Sequence, residues 1–303
     1  MENKKKKRSF LGCLDRHLGY LFLIPGILCL LILVAVPVVI TIYQSFTNLT
    51  FLTKGTPKFV GLDNYIALFQ EEKTFVGLQN SLVYTTLSVA FQLLFGFVFA
   101  QALQRARRGK PFFRAALIVP WTFPAIVMAF TWRWMLDPNY GILNQIMIRL
   151  GLISAGVSWF SIRESLLVVV FMTVWFGVPF MMMSIFAGLQ TIPEDYYEVA
   201  KIEGANYWQE LRYITLPCLT KILGTLLILR TIWVFNNFDF IYLTTGGGPG
   251  YASITLPIYS YLTMWKDTQT AKAAAISVIL LLFVLIFVVI YFKLFKVGGE
   301  SDE

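Results

Sequence analysis

Of the 303 residues, 57% are hydrophobic and only 14% charged, and the formal net charge is +8. Soluble domains carry roughly 25% charged residues, so this composition excludes an ordinary soluble globular chain. The basic excess gathers beside apolar segments, which points to orientation in a membrane and excludes nucleic-acid binding as its explanation.

The chain opens on a basic cluster, Lys4, Lys5, Lys6, Lys7 and Arg8, followed by the apolar run Tyr20–Tyr43. The run is too long for the apolar core of a signal peptide and lacks a small-x-small cleavage site, so an uncleaved first helix is expected. Further runs follow at Leu82–Leu103, Ala115–Met135, Ser165–Leu189, Leu219–Leu243 and Ala273–Phe295. Each approaches the roughly 20 apolar residues that a membrane-spanning helix needs, whereas barrel strands would be shorter and alternating. The expected fold class is an all-α membrane protein with six transmembrane helices.

Lysine and arginine set the orientation. Arg105, Arg107, Arg108, Lys110 and Arg114 follow the second run, Lys201, Arg212 and Lys221 follow the fourth, and Lys293 and Lys296 close the chain. Together with the N-terminal cluster they outnumber the basic residues of the opposite side, so both termini and residues 190–218 are expected in the cytoplasm.

That last segment is unusual for a membrane protein. Thr191 and Glu194 have capping-box spacing, Pro193 suits a first turn, and Tyr196, Val199, Ala200 and Glu203 share one helical face. Gly204 permits a sharp bend, Asn206 with Gln209 restarts a helix, and Pro217 marks the next span. Two short helices at the cytoplasmic surface are expected. An interfacial helix resting on lipid would favour Lys and Arg on its polar face, but here acids predominate, which favours a soluble partner.

The stretch "EVAKIEGANYWQELRYITLP" (198–217) resembles the cytoplasmic signature of the permeases of binding-protein-dependent ABC importers. That signature reads E-A-A, three residues, G, nine residues, I-x-L-P. Glu198, Ala200, Gly204, Ile214, Leu216 and Pro217 keep its types and spacing, and Val199 replaces the second alanine. The resemblance implies a type I importer permease with a coupling-helix loop that docks on an ATPase. The permease domain would cover residues 76–291, after a basic cytoplasmic segment (1–19) and a first helix with its external loop (20–75). Residues 292–303 would form a cytoplasmic tail.

"FVGLDNYIALF" and "FDFIYLTTGGGPG" are similar to the maltose-type sugar permeases, and the second to the first of their two unlike permeases. The implied function is the permease subunit of an ATP-driven sugar or oligosaccharide importer in a bacterial cytoplasmic membrane. The implied partners are a second permease, two ABC ATPase subunits and an extracytoplasmic solute-binding protein, besides membrane lipid. ATP and Mg would be bound by the ATPases, with no cofactor on this chain.

The same resemblance places a substrate path on segments containing Trp121, Gly177, Phe180, Asn237 and Arg230. Gly177 and Asn237 keep the residue types of a sugar site, whereas Trp121, Phe180 and Arg230 depart from the maltose pattern. An arginine in a span should be paired or line water. A structural pair with the second permease and a donor fork for the solute both satisfy Arg230. Ser81, Thr85, Ser88, Gln92 and Gly96 form a polar stripe on the second run, as helix packing or a path lining would.

Catalysis has little support. His17 is the only histidine, Cys13, Cys29 and Cys218 lack metal-ligand spacing, and "TTGGGPG" lacks the Lys-Ser/Thr of a P-loop. No metal site or enzyme activity is expected. A secondary transporter is the alternative from another class, for which inverted repeats, broken helices or buried acidic relays would be the signs. None is evident in the sequence.

Overall fold

A computed structural model describes residues 22–106 and 108–295. The N-terminal basic cluster, Cys13, His17, Arg107 and the tail beyond residue 295 lie outside the described residues. Among the described residues five helices are long and apolar enough to cross a membrane, and there are six if a bent pair counts as one span.

Span one is Phe22–Ser45, span two Glu72–Arg105, span four Ser165–Leu189, span five Tyr207–Phe235 and span six Thr270–Phe295. Span three is broken into Lys110–Thr122 and Ala125–Met135, which meet at 93°. This corrects the expectation of unbroken helices. Pro124 lacks an N–H and crowds the residue before it, so Phe123 adopts an extended backbone (φ −83°, ψ 144°) and the helix stops.

Span five also differs from expectation. It was expected to begin at Leu219, with a separate short helix before it, but the helix beginning at Tyr207 runs straight into the span. Pro217 does not interrupt it, because the backbone widens to a π-turn at Leu211–Thr215, where the Leu216 N–H bonds the Leu211 carbonyl. The same device precedes Pro37 in span one, with the Val36 N–H on the Leu31 carbonyl. Such single wide turns accommodate residues that the regular ladder rejects.

At its far end span five stops at Phe235 rather than Leu243. The Asn236 side-chain amide donates to the Ile232 carbonyl at 2.8 Å, and the Asn237 N–H bonds Val234 at 3.0 Å. This local competition ends the helix, and a short helix, Asp239–Thr244, follows.

The core lies where spans two, four and five meet. Met172, Met181, Met182 and Ile185 of span four are fully buried, and Gly96 of span two abuts Met181. Small residues at such crossings let helix backbones approach, which is what drives association where lipid removes the hydrophobic incentive. Span one is peripheral, with Phe22 75% and Leu33 72% exposed, and only its outer half, Val36–Ser45, packs on span six. It is tied at its external end, where the Asn64 amide donates to the carbonyls of Ser45 and Thr47 at 2.8 Å each.

The external rim is closely stitched. Asn80 of span two donates to the carbonyls of Tyr251, Ala252 and Ile254 at 3.0–3.3 Å, and Ser81 Oγ accepts from the Leu256 N–H at 2.8 Å. These bonds fix the glycine-rich loop on the bundle. Glu71 forms an ion pair with Lys272 of span six and accepts from the Tyr259 hydroxyl.

Candidate functional site

Two sites emerge, one on the cytoplasmic loop and one within the membrane. In the loop, the first helix covers Glu194–Ile202, with Pro193 as its N-cap residue. Thr191 does not form the expected capping box; its hydroxyl donates instead to the Gly188 carbonyl at 2.8 Å. As the last turn of span four already occupies Thr191, Glu194 and Asp195 are left to favour the exposed helix N-terminus.

Gly204 ends this helix at φ +78°. The Ala205 N–H bonds the Ala200 carbonyl at 2.8 Å and the Gly204 N–H bonds Lys201 at 3.1 Å. This pair of bonds is a Schellman motif, and its left-handed position suits glycine. Asn206 and Gln209 then form the expected capping box, with bonds of 2.7 and 3.1 Å.

The signature residues separate into two groups. Ala200 and Ile214 are half-buried, and Ile214 packs with Tyr197 against the core beneath the loop. Glu198, Gly204, Leu216 and Pro217 are exposed. Ala200 therefore turns inward, away from the ridge formed by Tyr196, Val199 and Ile202. Ile202 is 85% exposed, the most exposed of the large apolar side chains among the described residues. Sequence reasoning missed it, although its spacing of three from Val199 and six from Tyr196 was the available signal. An apolar ridge flanked by acids is suited to a cleft on a soluble protein.

Within the membrane, Trp121 of span three, Phe180 of span four and Trp233 of span five make a continuous aromatic strip. Ring centroids are 5.7 Å apart for Trp121–Phe180 and 5.5 Å for Phe180–Trp233. Trp121 and Trp233 are about half exposed, at 45% and 51%. Trp233, on the same helical face as Arg230, completes the strip although the site expected from resemblance omitted it.

Arg230 lies behind the strip and is 7% exposed. Its guanidinium carbon sits 5.6 Å from the Phe180 ring and 5.9 Å from Trp233. Nε and Nη2 both donate to Gln92 Oε1, at 2.9 and 2.6 Å, and Gln92 Nε2 donates to the Thr173 carbonyl at 3.0 Å. Within this chain the polar partner of Arg230 is Gln92. A buried cation requires such hydrogen bonds.

Gly177 makes this arrangement possible, because a Cβ there would lie 2.3 Å from Arg230 Nη2 and 2.4 Å from Gln92 Cδ. Four of the five expected path residues, Trp121, Gly177, Phe180 and Arg230, are brought together. Asn237 lies beyond the end of the helix, and its Oδ1 is buried with no hydrogen-bond partner among the described residues. Among the described residues no group of three or more His, Cys, Asp or Glu side chains could hold a metal ion.

Residues 92–296 match the family model described as "Binding-protein-dependent transport system inner membrane component". The chain is 35% identical to the trehalose/maltose transport system permease protein MalF of Thermococcus litoralis, over 92% of this chain and 94% of that protein. It is also 35% identical to the inner membrane ABC transporter permease protein YcjO of Escherichia coli, over 98% and 99% respectively. Among solved structures, a bacterial ABC transporter involved in import of the acidic polysaccharide alginate matches at a TM-score of 0.82 and 20% identity. That match covers 97% of this chain and 100% of the solved one, and shows a shared fold.

Proposed function

Because the chain belongs to the binding-protein-dependent transport system inner membrane component family, we propose that it carries a sugar or oligosaccharide along a path lined by Trp121, Phe180 and Trp233. As a permease subunit of an ABC importer it is a transporter component and not itself catalytic. It pairs with a second permease, docks two ATPase subunits that bind ATP and Mg, and receives solute from an extracytoplasmic binding protein.

The aromatic strip is the observation that carries the sugar assignment. Flat indole and phenyl faces stack on the apolar C–H faces of sugar rings, and half-exposed rings leave that face open. The trehalose/maltose relative supports the same class. Arg230, held by Gln92, positions Phe180 and Trp233 from behind.

On the cytoplasmic side, Glu198, Val199 and Ile202 present the docking face, while Ala200 and the Gly204 bend hold its shape. ATP-driven closure of the ATPases moves this loop and opens the path between the two permeases alternately to each side.

Uptake by vesicles reconstituted with the complete importer tests the solute assignment, with radiolabelled trehalose and maltose as probes. Replacing Trp121 and Trp233 by alanine should lower uptake about tenfold while ATPase attachment persists. Unchanged uptake of a transported sugar by the double variant would remove the strip from the path.

A further inference from the structure

The cytoplasmic loop is continuous in sequence with spans four and five, but it reaches span two only through space. Span two ends at Arg105, whose guanidinium lies 3.9 Å above the ring centroid of Tyr207. Tyr207 is the first residue of the second loop helix, and the capping box of Asn206 and Gln209 fixes that helix start. The Tyr197 hydroxyl meets Thr215 Oγ1 at 3.0 Å, and Thr215 is 3% exposed, so the two loop helices are joined to each other. The loop is accordingly one small rigid body that meets span two at its base, where Tyr197 and Ile214 pack on the apolar cluster holding Ala100 and Leu103, and at its tip, where Arg105 stacks on Tyr207.

The surroundings of this contact are open. A cavity of about 350 Å³ separates the end of span two from the loop, lined by Gln101, Arg105, Glu194, Glu198, Tyr207 and Glu210 among others. Three carboxylates face the cavity, yet the described residues give Arg105 no ion pair. Gln101 Nε2, on the span-two side, is buried without a hydrogen-bond partner. An open gap and an unbonded amide leave the Arg105–Tyr207 stack as the link across the gap.

We propose that Arg105 and Tyr207 form a strut that carries displacement of the cytoplasmic loop to span two. The proposal rests on the docking role of the loop set out above. Span two is the right recipient, because it carries Gln92 at the Arg230 junction and Asn80 at the external rim. A push at Arg105 therefore reaches both the path and the rim along one helix. Arg105 and Tyr207 are positioning residues; neither touches the solute.

The test uses the purified complex of this chain with its second permease and ATPases, and pairs of spin labels in a cysteine-free background. One pair joins the loop to span six, at Glu203 and Val289; the other joins span two to span six, at Val98 and Val289. ATP with vanadate is the probe. Both distances should shift in the parent complex. In Tyr207→Leu the loop pair should still shift, while the population of shifted span two falls about two- to fivefold, the range for an exposed cation–π contact. Tyr207→Phe, which keeps the ring, should restore it, and Arg105→Gln should reproduce the leucine defect from the other side of the gap.

Equal span-two shifts in the parent, Tyr207→Leu and Arg105→Gln complexes would overturn the strut while leaving loop docking intact. No loop shift in the parent complex would overturn docking and strut together. Should Tyr207→Leu fail to assemble, Arg105→Gln decides the matter alone, since it leaves the loop sequence untouched.

Discussion

From mid-membrane to its external rim the bundle pairs its charged groups within the chain, whereas its cytoplasmic loop leaves an apolar ridge open. In the first region Arg230 has Gln92, Glu71 has Lys272, and Asn80 serves three carbonyls. In the second, Tyr196, Val199, Ile202 and Trp208 are exposed at 54–85%. The difference follows from solvent and partner. A polar group in lipid must find its bond within the protein, while a loop in water can keep apolar side chains open for another protein to cover. Substitutions in the first region should therefore damage the chain itself, and substitutions in the second should damage its attachment.

The largest effect should come from Gly177→Val. The new side chain would start 2.3 Å from Arg230 Nη2 and displace the Gln92 bond as well. Overpacking costs about 1–3 kcal/mol and an orphaned buried charge bond about as much again. Recovery of the assembled complex should fall to near background, measured by yield after size-exclusion chromatography. A complex of normal yield and thermal stability would break the comparison at its strongest point.

Gln92→Leu and Arg230→Lys probe the same junction more gently. Leucine leaves the guanidinium without its acceptor, a loss of about 2–3 kcal/mol. Lysine cannot reproduce two parallel N–H bonds from Nε and Nη2 to one oxygen. Both should lower the thermal midpoint of the complex with every transported sugar alike. If Arg230→Lys keeps the midpoint and loses uptake of one sugar while another is spared, Arg230 belongs to the solute contact instead.

How much of this was legible follows the physics of each feature. Span positions were readable because burial in lipid imposes length and apolarity on every crossing, and span four runs over the expected residues, Ser165–Leu189. The break at Phe123–Pro124 was hidden inside an apolar run, where hydropathy has no term for a missing N–H. The continuity of the loop helix through Pro217 was hidden for the converse reason, since a π-turn removes the penalty that proline normally signals. The loop was legible as residue types at fixed spacing, and its bend at Gly204 followed. Gln92 stood in the sequence as one residue of a polar stripe. Its bond to Arg230 joins positions 138 apart, and single-helix periodicity cannot connect two helices.

In the cytoplasmic loop the expected signs reverse. Ile202→Asp removes an apolar side chain that is 85% exposed, so the chain should insert and pair normally. Attachment of the ATPases should weaken by about fivefold or more, as loss of an interface anchor costs over about 1 kcal/mol. Gly204→Val should weaken attachment less and by another route. Nothing lies within 4 Å of its Cβ position, but its φ of +78° suits no β-branched residue. Pull-down with the ATPase subunits, normalised to membrane-inserted chain, measures both. Loss of the inserted chain in Ile202→Asp would show that the ridge stabilises this subunit rather than its attachment.

The smallest effect belongs to the external rim, where the internal pairing meets water. Burial pushes the Glu71 carboxyl up, but the hydrogen bonds from Lys272 and Tyr259 and the nearby charges of Lys272 and Lys73 outweigh it and hold it below its ordinary 4.5. Folding therefore lowers this pKa, so near and below pH 4.5 the folded state binds fewer protons than the unfolded one. The pair stabilises the fold above that range, and its contribution disappears as pH falls through the lowered value. Glu71 is 36% exposed, so solvent screening keeps the contribution under about 1 kcal/mol. Parent and Glu71→Gln complexes should accordingly differ by a few degrees in thermal midpoint at pH 7, with the parent higher. Lowering the pH below 4.5 should progressively narrow the gap, and raising the salt should narrow it at pH 7. A gap that widens on acidification would mean that the carboxyl is held protonated, and that the rim is closed by a neutral hydrogen bond rather than by charge.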